Sequence, residues 1–549
     1  MRIEVRGMTC EHCARTIEAL LEDAGAADVV VDYRRGVGEL DPQGLDLERA
    51  RELARSAGYE LGELRPSDGD SAAAAERTSA EDTGGFAYDL LIVGAGAAAF
   101  AAAIQASERG ARVAMVEHGQ VGGTCVNVGC VPSKALLRAA EVYELAGHNP
   151  HRGVPTSTGP VRLDELVAQK DALVERMRQE KYRDLIGEYG WELIEGHAEF
   201  RDPQTLLVDQ RPLRARRYLV ASGARPAIPP LDGLEETGYL TSTSALERTQ
   251  LPRRLLVVGG NYIGLELGQL YAQLGAQVVL FEMLERISPL EEPQVSETLA
   301  AILEGEGVEV VTGARVLRAG RAGGQKTLTV LVDGEERVVH GDEILLAAGR
   351  RPNTDRLGAE RAGIELDERG AIRTDETQRT TNPRVYAAGD CTAAPQFVYV
   401  AAAQGAVAAR NALRDGEERL DYTALPRITF TRPQVAAVGL TEAQAEEAGF
   451  ELETRTLSLE AVPRALVNLD TRGFVKLVAE RASGRILGAT AVAENAGDVI
   501  LAATYAVQFG LTVEQVAGTW APYLTMGEGL KLAAQTFTRD VAKLSCCAA

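Results

Sequence analysis

The chain has 549 residues with a formal net charge of −21 at pH 7, and 45% of them are hydrophobic. This length predicts several domains with their own cores, and the acidic balance argues against nucleic acid or an anionic membrane surface as a partner. The N-terminus lacks the charged and then apolar stretches of a secretory signal, and the longest apolar run is rich in glycine and alanine. We therefore expect a cytoplasmic protein without a membrane span.

The first 65 residues predict a small α+β unit whose first helix begins in the stretch GMTCEHC. Cys10 and Cys13 form a C-x-x-C pair there, and two thiolates at this spacing suit a soft cation that takes few ligands. A four-cysteine zinc site is disfavoured because no second C-x-x-C occurs. His12 is interpreted as an exposed loop residue. Residues 66–86 have no hydrophobic periodicity and predict a flexible linker.

A glycine-rich turn follows the apolar strand that begins at Tyr88. Gly94, Gly96 and Ala99 fit the G-x-G-x-x-G/A pattern, and Glu117 ends the next strand. Such glycines let the backbone approach a pyrophosphate at a helix N-terminus, and the acid can bind the hydroxyl pair of a ribose. An ordinary tight turn is the alternative, but the strand, helix and acid together favour a dinucleotide site.

A second copy of this turn lies in VVGGNYIGLELG. It keeps Gly259 and Gly264 but has Asn261 where the middle glycine is expected, and Glu282 ends its second strand. A carboxylate at that place favours a free ribose diol, and hence NADH over NADPH. Arg286 could offset the repulsion of a 2′-phosphate, so both nucleotides stay open.

Two cysteines lie between these turns, in GGTCVNVGCVPSK. Cys125 and Cys130 come just before a helix, whose positive N-terminal end stabilises thiolates and so makes cysteines reactive. Their spacing lets both sulfurs reach one face of a cofactor. Two buried structural cysteines are the alternative, which the flanking GGT and VPSK segments make less favourable.

These motifs, with VYAAGDC and LLAAGRRPN, resemble the flavin-dependent pyridine nucleotide–disulfide oxidoreductases over about residues 86–540. The resemblance implies FAD as the permanent cofactor and NADPH or NADH as the reductant. It also implies that Cys125 exchanges with substrate, that Cys130 contacts the flavin, and that Asp390 contacts the ribityl chain. Further cofactor contacts implied by the same resemblance are Gly122, Gly123, Thr124, Gly223 and Gly349.

Three more residues take roles only through this resemblance. Lys134 would lie near the flavin ring, paired with Glu266, and Tyr262 would gate the nicotinamide pocket. Ordinary helix packing is the alternative for Tyr262 and Glu266. The seventh cysteine, Cys391, is interpreted as structural or incidental.

Disulfide-reducing members of the family resemble one another in an H-P-T-x-x-E segment, whose histidine is the general acid. Here Tyr523 takes the place of that histidine and Glu528 that of the acid, and no histidine follows His340. A tyrosine with an ordinary pKa near 10 is poorly suited to acid–base catalysis at neutral pH. The expected substrate is therefore not a disulfide.

Cys546 and Cys547 stand side by side in KLSCCAA. Adjacent Cα atoms lie about 3.8 Å apart, short of the roughly 4.4–6.8 Å of an unstrained disulfide, so the two thiols stay available as soft donors. The first 65 residues resemble the heavy-metal-associated domain, and with Tyr523 the whole chain resembles the Hg(II)-reducing branch of the family.

That resemblance implies Hg(II)–thiol complexes as substrate. Mercury would pass from Cys10 and Cys13 through the tail cysteines of one subunit to the active site of its partner in a homodimer. There it would bind as a dithiolate at Cys125 and Cys130. Tyr523 and Tyr262 would line its path.

The predicted fold class is α/β, with two Rossmann-like domains and an α+β C-terminal dimerisation domain behind a small ferredoxin-like metal-binding domain. The predicted segments are 1–65 for metal binding, 66–86 for the linker, 87–235 and 351–422 for FAD, 236–350 for NAD(P)H, and 423–549 for dimerisation and the Cys-Cys tail. Two other functions stay open. A dithiol or disulfide reductase with a C-terminal thiol relay is opposed by Tyr523, and a non-catalytic metal-binding resistance protein is opposed by Cys125 and Lys134.

Overall fold

The computed structural model describes residues 1–6, 11–32, 36–57, 59–65, 86–414 and 416–540. The chain divides into two compact units, Met1–Gly84 and Gly85–Ala549. Cys10, the tail cysteines Cys546 and Cys547, and the predicted linker up to residue 85 lie outside the described residues. Within the described ranges, no helix has both the length and the apolar character needed to cross a membrane.

The first unit is built on a four-stranded antiparallel sheet. Its elements are β1 (Arg2–Arg6), α1 (Glu11–Asp23), β2 (Ala27–Asp32), β3 (Val37–Asp41), α2 (Leu47–Ser56) and β4 (Glu60–Arg65). The strand order is β2-β3-β1-β4, with every neighbouring pair antiparallel. Ile3 and Val5 alternate along β1 and share one core with Ile17 and Leu21, which are one helical turn apart on α1. The α+β unit predicted for the first 65 residues is present in its described part.

The second unit begins with alternating strands and helices. These are β5 (Tyr88–Val93), α3 (Ala97–Ser107), β6 (Val113–Glu117), α4 (Gly123–Val128), α5 (Cys130–Gly147), α6 (Leu163–Arg178), a π-helical turn (Gln179–Arg183), α7 (Asp184–Tyr189), β7 (Glu192–Glu195), β8 (Ala198–Asp202), β9 (Thr205–Val208), β10 (Arg211–Leu213), β11 (Ala215–Val220), β12 (Ala224–Pro226), α8 (Leu234–Thr237) and α9 (Ser242–Leu246).

The middle of the unit repeats this alternation and then adds one more strand to the sheet that contains β5. Its elements are β13 (Arg254–Val258), α10 (Tyr262–Gln273), β14 (Gln277–Phe281), α11 (Pro293–Gly305), β15 (Val308–Val311), β16 (Arg315–Ala322), β17 (Gln325–Val332), β18 (Glu335–Gly341), β19 (Glu343–Leu346), β20 (Arg350–Pro352), β21 (Val385–Ala387) and α12 (Val398–Arg414).

The last part is a mixed α+β segment. It contains β22 (Pro426–Thr429), β23 (Gln434–Gly439), α13 (Glu442–Glu447), β24 (Leu452–Ser458), a 3₁₀ turn (Leu459–Ala461), α14 (Pro463–Asn468), β25 (Phe474–Glu480), β26 (Ile486–Ala493), α15 (Ala496–Gln508), α16 (Val513–Gly518) and α17 (Glu528–Gln535). Its five-stranded antiparallel sheet has the order β22-β23-β26-β25-β24, and α15 and α17 contribute to its core.

Two parallel sheets form the centre of the second unit. The first has the order β21-β11-β5-β6-β7, and the second has the order β15-β14-β13-β19. Leu90 and Ile92 of β5 belong to one core cluster, whereas Leu91 and Val93 belong to another. A strand buried on both faces explains the continuous apolar run in the sequence. Antiparallel sheets of β8 to β10, of β16 to β18 and of β12 with β20 complete the unit.

Candidate active site

The glycine-rich turns after β5 and β13 open into one cavity of about 2440 Å³. Gly94 and Gly259 directly follow these strands, with φ angles of 109° and 112°. A Cβ at these residues would lie 2.3 Å from the Ala221 carbonyl oxygen and 2.4 Å from that of Ala347. Glycine is required twice for the same reason, because the end of the neighbouring strand passes too close for a side chain.

Most of the residues predicted for the site line this cavity. They are Gly94, Gly96, Glu117, Gly123, Thr124, Cys125, Cys130, Lys134, Gly223, Gly259, Tyr262, Glu266, Glu282, Gly349 and Asp390. Ala99, Gly122 and Gly264 do not line it. A Cβ on Gly264 would lie 1.8 Å from the Gly259 carbonyl oxygen, and one on Gly122 would lie 2.4 Å from Val126, so these two glycines allow close packing.

Each predicted ribose-binding acid is held by two backbone amides. Glu117 accepts hydrogen bonds from the amides of Ala95 at 2.9 Å and Gly119 at 2.7 Å. Glu282 accepts from Gly260 at 2.7 Å and from Leu284 at 2.9 Å. The two carboxylates are therefore fixed at equivalent places in the two halves of the cavity.

The helices after the two turns differ in how their first amides are satisfied. Helix α3 begins after Gly96 without a capping side chain, which leaves its N-terminal amides open to an anion. At α10 the Asn261 side chain accepts a hydrogen bond of 3.0 Å from the Tyr262 amide. Because Asn261 replaces the middle glycine of the pattern, the Tyr262 amide bonds to the Asn261 side chain and is not open to an anion.

The first half of the cavity has space and polar groups that fit a flavin dinucleotide. Gly223 and Gly349 line it with φ angles of 68° and 102°, and a Cβ on either would meet nothing within 4 Å. Burial raises the pKa of Asp390, and the Arg350 Nε lies 3.4 Å from its carboxylate. Together with the open amides of α3, these groups suit a pyrophosphate and a polyhydroxyl chain.

The two cysteines of the central motif lie together. Cys125 belongs to α4, and Cys130 is the first residue of the 18-residue helix α5. A hydrogen bond from the Cys125 thiol lowers the pKa of Cys130 to about 7, with a further contribution from the Lys134 ammonium. The same hydrogen bond and burial raise the pKa of Cys125. The pair thus holds one thiolate and one thiol near neutral pH.

Lys134 and Glu266 form the ion pair that was predicted. The Lys134 Nζ lies 2.7 Å from Glu266 Oε2, and it stands 4.5 Å above the centre of the Phe430 ring. The other oxygen of Glu266 accepts a hydrogen bond of 2.9 Å from the Phe430 amide. Helices α5 and α10 are therefore tied to the segment after β22. Phe430 was not identified from the sequence, because nothing local distinguishes it.

Tyr262 stands at the start of α10 among residues that sequence reasoning missed. Its hydroxyl donates a hydrogen bond of 3.1 Å to Glu291, and its ring lies 6.1 Å from Phe397, which stacks on Tyr399 at 5.3 Å. Burial, followed by the charge of Glu291, raises the pKa of Tyr262. These partners come from distant segments and carry no sequence motif.

Tyr182 is a second residue that the sequence did not reveal. It lies on the π-helical turn Gln179–Arg183, and such turns occur often at functional sites. Burial raises its pKa, and the charges of Cys125 and Cys130 raise it further. Its ring packs edge-on against Phe100 at 4.8 Å. Its surroundings in the sequence, EKYRD, give no signal of this position.

Four other predicted residues lie elsewhere. Tyr523 is half-exposed before α17, and the described lining of the cavity does not include it. Cys13 lies in the first turn of α1. Cys391 is fully buried, and its thiol donates to the Ala388 carbonyl at 3.3 Å. Glu528 opens α17, where it accepts a hydrogen bond of 3.2 Å from the Leu524 amide.

Two family models match this chain. One described as pyridine nucleotide-disulphide oxidoreductase matches residues 88–405, and one for the dimerisation domain of the same class matches residues 425–534. Since the first match spans more than half of the chain, the protein belongs to the pyridine nucleotide-disulphide oxidoreductase family. Membership implies a flavin and a pyridine nucleotide as cofactors, and the second match supports homodimer formation.

Relatives within the family carry a more specific name. The chain is 48% identical over 547 residues to a mercuric reductase of Staphylococcus aureus, which covers 100% of this chain and 99% of that protein. It is 53% identical over 471 residues to a mercuric reductase of Streptomyces lividans, covering 84% of this chain and 98% of that protein. Among solved structures, an HOCl-induced flavoprotein disulfide reductase from Escherichia coli matches with a TM-score of 0.74 and 28% identity, over 82% of this chain and 100% of that one.

Proposed function

We propose that this protein is a cytoplasmic enzyme that reduces Hg(II) to Hg(0) with a nicotinamide nucleotide and so detoxifies mercury. The overall reaction is NAD(P)H plus Hg(II) giving NAD(P)⁺, H⁺ and Hg(0). One observation carries the proposal: the cavity joins two dinucleotide turns to a pair of thiols and to Tyr262, in a chain without histidine after His340. The full-length similarity to proteins named mercuric reductase supports it.

Each half of the cavity would bind one of the two cofactors. We assign FAD to residues 87–235 and 351–422, and the nicotinamide nucleotide to 236–350. Bound FAD would carry two electrons from the nucleotide to the thiol pair or to the metal that the pair holds. The open amides of α3 would bind its pyrophosphate, Glu117 its ribose, and Asp390 its ribityl chain. Lys134 would lie beside its ring, fixed by Glu266.

The thiol pair binds the metal. Near neutral pH the Cys130 thiolate and the Cys125 thiol offer two soft donors, and Hg(II) prefers such ligands. Binding releases the remaining proton and gives a dithiolate. Reduction then removes the metal rather than a leaving thiol that must be protonated, so the absence of the histidine acid does not impair it. Tyr523 and Tyr262 would line the path of the metal, as the family resemblance implies.

Delivery of the metal would use the remaining cysteine pairs. We propose that residues 1–65 are a heavy-metal-associated domain with Cys10 and Cys13 as ligands. Cys546 and Cys547 of one subunit would then pass Hg(II) to Cys125 and Cys130 of the partner. Small thiol complexes of Hg(II) would enter through the same tail cysteines, in keeping with a homodimer formed through residues 423–549.

NADH is the favoured nucleotide. Both oxygens of Glu282 are fixed by backbone amides, so its negative charge stays where a 2′-phosphate would lie. Arg286 does not offset that charge, since its guanidinium donates to the carbonyls of Glu291 at 2.8 Å and Pro289 at 2.7 Å. The cavity lining next to Glu282 is apolar, at Met283 and Leu284.

An anaerobic assay tests the proposal. Purified FAD-loaded protein receives NADH or NADPH, excess small thiol and Hg(II), while nicotinamide oxidation and volatile Hg(0) are followed together. We expect the two to match in amount and to depend on the metal, and we expect Cys125→Ala to abolish both. Efficient reduction of oxidised glutathione, lipoamide or thioredoxin without mercury release would instead identify a disulfide reductase with a thiol relay.

A further inference from the structure

A buried ion pair crosses one wall of the cavity. Glu291, 3% exposed, lies between β14 and α11, and Arg427 lies on β22 of the C-terminal segment. The Arg427 Nε is 3.1 Å from Glu291 Oε1 and its Nη2 is 3.2 Å from Oε2. Two contacts of this kind fix the orientation of the carboxylate as well as its charge.

The fixed carboxylate holds the hydroxyl of Tyr262. That hydroxyl donates to Oε1 of Glu291, the same oxygen that accepts from the Arg427 Nε. Tyr262 and Arg427 both line the cavity. The tyrosine is thus anchored at one end by its helix and at the other by a charged acceptor that cannot rotate away.

We propose that Arg427 is a positioning residue that, through Glu291, anchors Tyr262 in the closed position of the nicotinamide pocket. This inference rests on the proposed role of Tyr262 as the gate of that pocket. A nicotinamide that enters must break the bond from Tyr262 to Glu291, so the anchor lowers apparent affinity by reducing the population of the open state. Weakening the anchor therefore tightens binding of the nucleotide. Direct contact between Arg427 and the nucleotide would have the opposite sign.

The neighbouring acid provides a matched control. Glu292 contacts Lys476 at 2.9 Å, and Lys476 also contacts Glu442 at 2.6 Å. Glu292 and Lys476 are buried, and this cluster docks the same segment onto the same C-terminal sheet, but none of its three residues is in the described lining of the cavity. Glu442→Gln weakens docking there without touching Tyr262.

The experiment uses FAD-loaded full-length protein and measures binding of NAD⁺ by calorimetry, with KM and kcat for NADH alongside. Tyr262→Phe, which leaves the ion pair intact, is expected to lower the Kd by about 5-fold to 10-fold. Arg427→Met is expected to lower it by about 3-fold, and Arg427→Lys by less, because lysine keeps the charge but not the forked contact. KM for NADH should fall together with Kd in the Tyr262 and Arg427 variants, and Glu442→Gln should change neither constant.

The double variant separates the mechanisms. If Arg427 acts through the tyrosine, Arg427→Met has no further effect on Kd in the Tyr262→Phe background. A higher Kd in Arg427→Met would overturn the inference in favour of direct contact. So would an equal effect of Arg427→Met in the wild-type and Tyr262→Phe backgrounds. An equal shift in Glu442→Gln would overturn it in favour of loosened docking. Because NAD⁺ binding needs no mercury, normal binding without Hg(II) reduction would refute the proposed function and leave this inference standing.

Discussion

At Cys130, opposing influences set the charge of the sulfur. Burial favours the neutral thiol, whereas the hydrogen bond from Cys125 and the nearby ammonium of Lys134 favour the thiolate. The latter prevail, and the pKa falls from the ordinary 9.0 to about 7. The sequence predicted an activated pair from the helix N-terminus, and the structure adds the hydrogen bond from Cys125 and the charge of Lys134 as causes.

The first prediction concerns the pH at which this thiolate forms. A lowered pKa means that Cys130 is ionised above about pH 7 and becomes protonated as the pH falls below it. Cys125→Ala removes the main cause and should move the midpoint back toward 9.0, while Cys125→Ser keeps a donor and should hold it near 7. Ultraviolet thiolate absorbance of the reduced protein measures the midpoint, with Cys130→Ser as the blank. Equal midpoints in the two Cys125 variants would contradict the assignment.

The second prediction concerns Glu282. Native enzyme should prefer NADH to NADPH in kcat/KM by about tenfold or more, which corresponds to about 1.4 kcal/mol. Glu282→Ala should lower kcat/KM for NADH by about tenfold, because the variant loses the hydrogen bonds to the ribose. It should leave kcat/KM for NADPH unchanged. Glu309→Ala, at an exposed acid on β15, is the charge-matched control. An equal loss with both nucleotides would show that Glu282 does not discriminate between them.

At the scale of elements, the turn between β5 and α3 shows two different uses of glycine. A Cβ on Gly94 would lie 2.3 Å from the carbonyl oxygen of Ala221, at the end of the neighbouring strand β11, whereas a Cβ on Gly96 would come no closer than 3.6 Å to Gly123. Gly94 is needed for the fold, and Gly96 is left for the ligand. The sequence pattern contains both residues but does not separate these roles.

The third prediction follows from that contrast. Gly96→Ala should leave the stability of the apoprotein unchanged but weaken FAD binding, because its methyl group occupies the space beside the open amides of α3. Gly94→Ala should lower the stability by about 2 kcal/mol or more, since its φ of 109° and the close oxygen both oppose a side chain. Thermal unfolding and FAD titration of the apoproteins measure the two effects. A destabilised Gly96→Ala apoprotein would contradict the division.

At the scale of the molecule, the C-terminal segment carries exposed apolar side chains outside the cavity. Leu501, Tyr505 and Phe509 are spaced by four residues, so they form an exposed apolar stripe along α15 and its C-terminal cap. Trp520 is 98% exposed in the same segment. A monomer rarely exposes such side chains together. These residues lie within the segment that matches the family's dimerisation-domain model.

The fourth prediction is that catalysis does not require the first unit. Deletion of residues 1–85 removes a separate compact unit and should leave kcat with small-thiol Hg(II) complexes unchanged. Turnover should slow only when Hg(II) is supplied on a protein carrier, and Cys10→Ser with Cys13→Ser in the full chain should have the same effect. Loss of kcat with small thiols would assign the first unit to the chemistry itself.

The fifth prediction tests exchange between subunits. Heterodimers purified by two different tags should join a Cys125→Ser subunit to a Cys546→Ser/Cys547→Ser subunit. If each tail serves its partner, one site per heterodimer keeps both its thiol pair and a tail, and Hg(II) reduction returns. If each tail serves its own subunit, no site is complete and the heterodimers stay inactive like both parent homodimers.

Much of this architecture is determined by residues that are close together in the sequence. The apolar strands, the glycine turns, the acids that end the second strands and the cysteine spacing each depend on residues a few positions apart, and the structure places them at the ends of two parallel sheets as the periodicity predicts. The ion pair of Lys134 with Glu266 was also foreseen, although only from family resemblance.

The contacts that tune the cavity were decided by tertiary structure alone. Tyr182, Glu291, Phe397, Arg427 and Phe430 come from segments far apart in the chain, and each is a common residue in an ordinary local context. Their roles arise because folding brings the two parallel sheets and the C-terminal segment together at one cavity. Sequence periodicity records which face of an element is buried, but it does not record which remote side chain will meet it there.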